Sequence, residues 1–88
     1  MSYQIELRRV AQKQLDQLPE PEYKAIAEII SSLAQKPRPL RVKKLADSGL
    51  WRIRVRKYKR VVYAIDDEAQ MVTIVRIARR REDTYKSL

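Results

Sequence analysis

The chain has 88 residues, no cysteine, no histidine and one glycine, and its 20 Lys and Arg against 11 Asp and Glu give a net charge of +9. A chain of that length fits one small domain, residues 1–88, with little room for a deep internal cavity, so an active site is expected on an open surface. Without thiols or imidazoles, disulfides, zinc chemistry and the usual neutral-pH base are excluded, and neither a metal nor another cofactor is expected.

The opening segment "MSYQIELRRV" lacks the apolar run of a signal peptide, and no stretch approaches the roughly 20 apolar residues of a membrane span. A soluble, cytoplasmic protein without a membrane partner is expected. "YQIEL" alternates apolar and polar residues and predicts a short strand with Tyr3, Ile5 and Leu7 facing inward. From Val10 the period becomes helical through Ala11, Leu15 and Leu18, and "LPEP" ends that helix. Pro21 suits the first turn of a second helix, on which Ile26, Ile29, Ile30 and Leu33 form an apolar stripe. "KPRPL" breaks it and leads into an extended segment around Arg41 to Leu45.

Three strand-like runs follow, "LWRIRVR", "RVVYAID" and "QMVTIVRIARR", separated by turns at Lys57–Lys59 and "DDEA". The last residues, "REDTYKSL", predict a short helix or an ordered tail. The fold class is therefore α+β: an N-terminal strand, a helical hairpin, then antiparallel strands, making a sheet of about four strands with the helices on one face.

Charge is concentrated on the strands. Residues 38–81 hold 14 of the cations and four acids (Asp47, Asp66, Asp67 and Glu68), an excess of ten, whereas the rest of the chain holds six cations and seven acids. Solubility does not require such segregation, and a polyanionic partner, nucleic acid above all, accounts for it better. Strand alternation gives this charge a direction. Trp51, Ile53 and Val55 point to the helices while Arg52, Arg54 and Arg56 point away. Val61, Tyr63 and Ile65 are expected in the core, and so are Met71, Thr73, Val75 and Ile77 of the last strand. That register gathers Arg52, Arg54, Arg60, Arg76 and Arg80 on one open face floored by Val62 and Ala64.

Like charges facing one another across strands repel, which favours a ligand-binding role over a structural one. The planar fork of arginine suits phosphate, and eight arginines (52, 54, 56, 60, 76, 79, 80 and 81) lie on or beside these strands. RNA carries its own nucleophile, the 2′-hydroxyl, so cations on a rigid sheet can promote its cleavage without a metal by orienting that group and stabilising phosphorane charge. The general base stays open. Lys44, Lys57 or Lys59 would serve only with a lowered pKa, although solvated turn lysines are the simpler reading of the last two. Tyr85 can donate or accept a proton, stack on a base, or anchor the C-terminus. No carboxylate pair, Gly-rich phosphate loop or metal-ligand cluster supports a glycosidase, nucleotidase or metallonuclease.

In its order of strand, helical hairpin and basic strands the chain resembles the RelE/ParE superfamily of toxins from bacterial type II toxin–antitoxin systems. The resemblance spans nearly the whole chain and is most specific in "KKL", "WRIRVRKYKRVVYAIDDE" and "IARRREDTY". It implies a RelE-like ribosome-dependent endoribonuclease, an mRNA interferase whose partners are the ribosome with its mRNA and rRNA and a cognate antitoxin. Carried over by position, the implied catalytic set is Arg52, Arg54, Arg60, Arg80 and Tyr85, with Arg81 as the alternative to Arg80. Lys43, Lys44, Arg56, Lys57, Lys59, Arg76, Arg79 and Arg81 are expected to bind RNA. Arginines stand at 52 and 54, where many RelE proteins carry lysines, so the resemblance does not supply the base. ParE relatives share the fold and poison DNA gyrase, which makes a non-enzymatic gyrase inhibitor the alternative. A simple RNA-binding module is a third reading. An acidic, partly disordered antitoxin segment would complement the cationic face.

Overall fold

The computed structural model describes residues 2–45, 47–56 and 59–79, Arg79 through its backbone alone. Strand β1 (Gln4–Leu7) leads into helices α1 (Arg9–Asp16) and α2 (Glu20–Ser32), followed by strands β2 (Lys43–Leu45), β3 (Leu50–Val55), β4 (Lys59–Asp66) and β5 (Met71–Arg79). The helical hairpin and the three long strands lie where periodicity places them. The expected C-terminal helix or tail lies outside the described residues.

The sheet has five strands in the order β1-β5-β4-β3-β2 rather than about four. The added strand is β2, three residues of the extended segment, which pairs antiparallel with β3. β1 runs parallel to β5 because the hairpin carries the chain across one face of the sheet before it returns. Pro21 stands in the first turn of α2, where its missing N–H costs nothing, and Glu20 and Glu22 complement the helix dipole there.

The core lies between helices and sheet. Ala11, Leu15, Ile26, Ile30 and Leu33 pack from the helical side on Ile53, Val55, Val61 and Tyr63 of the central strands. On β5 the inward residues are Val72 and Ile74, both fully buried, with Ile77. This corrects the expected inward set of Met71, Thr73 and Val75. The reason is a bulge: Tyr63 pairs with Ile74 and Val62 with Arg76, so Val75 is an extra residue and the alternation changes phase there. Past the end of β1, whose last partner is Ile74, the Ile77 N–H donates to Gln14 Oε1 of α1 (2.7 Å). The helix thereby satisfies a backbone donor that no strand reaches. No helix among the described residues is long and apolar enough to cross a membrane.

Candidate functional site

The inward residues assign the remaining positions to the face opposite the helices. On that face Lys43 pairs with Arg52, Arg52 with Val62, and Val62 with Arg76, so three cations share one row across four strands with a valine between the second and third. In the next row Arg54 is directly opposite Arg60, which is opposite Ala78. Neighbouring strands lie about 4.8 Å apart, and successive same-face residues of one strand roughly 7 Å apart. Sheet geometry thus gathers five cations on one face, in a row that runs roughly 14 Å from Lys43 to Arg76 and a second row beside it. Val62 forms a buried floor, 8% exposed.

Arg56 follows β3 with φ of 59°. A side chain in this left-handed region costs about 1 kcal/mol of backbone strain. At the end of β3 the open face forms a shallow cleft of about 420 Å³, lined by Leu40, Arg41, Val42, Lys43, Arg52, Arg54 and Arg56. Five of these seven are cations and none is an acid. Leu40 and Arg41 were not singled out by the sequence, although Arg41 and Lys43 share the i, i+2 spacing of a strand face.

Two of the lysines expected to bind RNA lie on the other side of the sheet. Lys59 has the parity of Val61 and Tyr63; it is buried on the helical side, its Nζ 3.1 Å from Glu22 Oε1 of α2. Lys44 pairs with Trp51 on that same side and holds its Nζ 5.7 Å from the indole centroid. Arg79 is opposite Lys59 in the β4–β5 register. Lys57, Arg80, Arg81 and Tyr85 lie outside the described residues.

The loop between α2 and β2 is fixed from the helical side. Arg38 stacks 5.1 Å from the centroid of Trp51 and grips Asp67 with both nitrogens, Nη1 to Oδ1 at 3.2 Å and Nη2 to Oδ2 at 2.7 Å. The Tyr3 hydroxyl donates to the same carboxylate at 2.6 Å. Hydrogen bonds from Arg38 and then Tyr3 hold the Asp67 carboxyl below its ordinary range, and the bond to Asp67 is the main cause that raises the Tyr3 phenol. Tyr63, inside the core, donates its hydroxyl to the Pro37 carbonyl at 2.7 Å, and burial pushes its pKa up to about 12.

A helical hairpin on one face of a five-stranded sheet ordered in this way matches the RelE-like fold. The chain belongs to the family of ParE toxins of type II toxin–antitoxin systems (parDE), whose model matches residues 5–84. Its structure is similar to that of a chain in the toxin–antitoxin complex RelBE2 from Mycobacterium tuberculosis, with 29% identity and a TM-score of 0.79 over 91% of this chain and 100% of that one. An archaeal RelE–RelB complex from Pyrococcus horikoshii gives 27% identity and a TM-score of 0.80, covering 91% and 97% of the two chains. The isolated RelE toxin of E. coli, at 18% identity and a TM-score of 0.78, covers 99% of this chain and 100% of its own, a likeness of fold. No curated protein matches the sequence significantly. The protein is thus a toxin of a toxin–antitoxin module in the RelE/ParE superfamily.

Proposed function

We propose that this toxin is a ribosome-dependent endoribonuclease that cuts mRNA in the decoding A site. The observation that carries the reading is the alignment of Arg52, Arg54, Arg60 and Arg76 on the face of the sheet opposite the helices, with Arg54 opposite Arg60. Arg52 and Arg54 orient the scissile phosphate and the neighbouring 2′-hydroxyl. That oxygen attacks phosphorus, the bond to the 5′-oxygen breaks, and the products are a 2′,3′-cyclic phosphate and a 5′-hydroxyl. Arg60, joined by Arg80 in the sequence-based assignment, stabilises the charge that grows on the phosphorane, and rigid strands supply that charge without reorganisation. Tyr85 positions the substrate or relays a proton. The partners are the programmed ribosome and a cognate antitoxin whose acidic segment covers the same cations.

Toeprinting on programmed ribosomes tests this reading. Wild type should give a codon-associated cut, and Arg60→Ala or Arg80→Ala should reduce it at least a hundredfold, the scale of losing one transition-state donor. An uncut message overturns the nuclease.

The second reading, inhibition of DNA gyrase, is favoured by the family model, which is that of ParE toxins. It also needs no general base, a group that a chain without histidine and with arginine at 52 and 54 does not readily provide. Impaired supercoiling by purified gyrase, with intact messages in the same cells, would select it.

A further inference from the structure

The cleft between the α2–β2 loop and β3 is larger than a reaction at one phosphate requires, and its far wall is built by residues with no place in that reaction. Arg41 and Lys43 line it together with Arg52, Arg54 and Arg56, and none of the described residues that line it is a carboxylate. Lys43 is in register with Arg52, so the loop side of the cleft continues the row of cations at the reaction centre. Strand-to-strand spacing of about 4.8 Å places Lys43 one phosphate neighbour away from Arg52.

The wall is also preformed. Arg38 is turned to the other side of the sheet, where Asp67 and Trp51 hold it. Pro37 is anchored through its carbonyl to Tyr63, and the Val42 N–H donates to the Pro39 carbonyl at 3.1 Å. A loop pinned on one side presents Leu40 and Arg41 on the other without further ordering cost. Leu40 is fully exposed at the rim, an unusual position for a large apolar side chain beside four arginines.

Resting on the nuclease reading above, we propose that this cleft is a second subsite for the single-stranded message, in which Arg41 and Lys43 hold the backbone phosphate adjoining the scissile one and Leu40 lies against the neighbouring ribose and base. An RNA strand leaving the reaction centre toward the β2 edge of the sheet must cross the cleft, which is why RNA fits it better than a separate acidic peptide.

The test is binding of a non-cleavable 2′-O-methyl octanucleotide and trinucleotide by the full chain across a salt series, with cutting on programmed ribosomes read in parallel. Wild type should prefer the octamer. Arg41→Ala with Lys43→Ala should lower the salt slope for the octamer by about 0.7 and its affinity on the order of 5-fold at 0.1 M salt, from one phosphate no longer neutralised. Leu40→Ser should weaken octamer binding several-fold without changing the slope, and Lys13→Ala on α1 should change neither. An octamer slope unchanged in the double variant, or no octamer binding while ribosomal cutting persists, overturns the subsite and spares the nuclease. Absence of ribosomal cutting by wild type removes both. A polyglutamate peptide that binds more tightly than the octamer and is lost in the same double variant would transfer the cleft to a protein partner and overturn the proposal.

Discussion

Arg54 and Arg60 face each other directly across the β3–β4 ladder, two guanidinium-bearing residues at a register position where a stability-optimised sheet carries opposite charges or none. The pairing costs roughly 0.2–1 kcal/mol at low salt. Thermal stability should therefore rise between about 0.05 and 0.5 M salt, and more steeply in phosphate than in chloride. Arg54→Gln should raise the low-salt melting temperature and flatten the salt dependence, while impairing message cutting. A variant that melts lower than wild type at every salt concentration would contradict this trade of stability for charge.

Lys59 and Glu22 join the start of β4 to the first turn of α2, and the lysine is the buried partner. Removing the carboxylate leaves an ammonium without its ion pair in a site closed to water. Glu22→Ala should destabilise by about 1–2 kcal/mol, below the 3–5 kcal/mol seen for fully buried pairs because Glu22 is half-exposed. Lys59→Met combined with Glu22→Leu should recover most of that loss. Urea unfolding of the three chains measures this, and a double variant no more stable than Glu22→Ala would refute the account.

The bonds from Arg38 and Tyr3 depress the Asp67 carboxyl, and the sign of the pH effect follows. A carboxyl lowered in the folded state contributes stability above its unfolded value, near 3.9, and loses it as pH falls through the folded value. Wild type should thus lose stability below about pH 4 more steeply than Asp67→Asn. Parallel acid profiles of the two chains would argue against the bidentate pair as the latch of the α2–β2 loop.

Tyr63 sets the alkaline limit. Its phenol, raised to about 12 by burial, contributes stability that is complete below the unfolded value near 10 and disappears as pH climbs through about 12. Tyr63→Phe should remove this alkaline loss and the last phenolate absorbance step. At neutral pH it should cost about 1 kcal/mol, because the Pro37 carbonyl loses its donor. A last phenolate step that stays near pH 12 in Tyr63→Phe would assign it to another tyrosine.

Sequence alone determined the α+β class, the helical hairpin, the central-strand core of Ile53, Val55, Val61 and Tyr63, and the outward aim of Arg52 and Arg54, because strand alternation is a local property of the backbone. Three matters belonged to the tertiary structure. The bulge at Val75 moved Val72 and Ile74 into the core and still delivered Arg76 to the open face, a phase change that arises from pairing with β4 and has no mark in the residues. The burial of Lys59 depended on where Glu22 of a distant helix came to rest. The cleft at Arg41 and Lys43 exists because β2 pairs with β3 while Arg38 and Pro37 tie the preceding loop to the other side. Each joins segments far apart in the chain, and periodicity carries no information about such contacts.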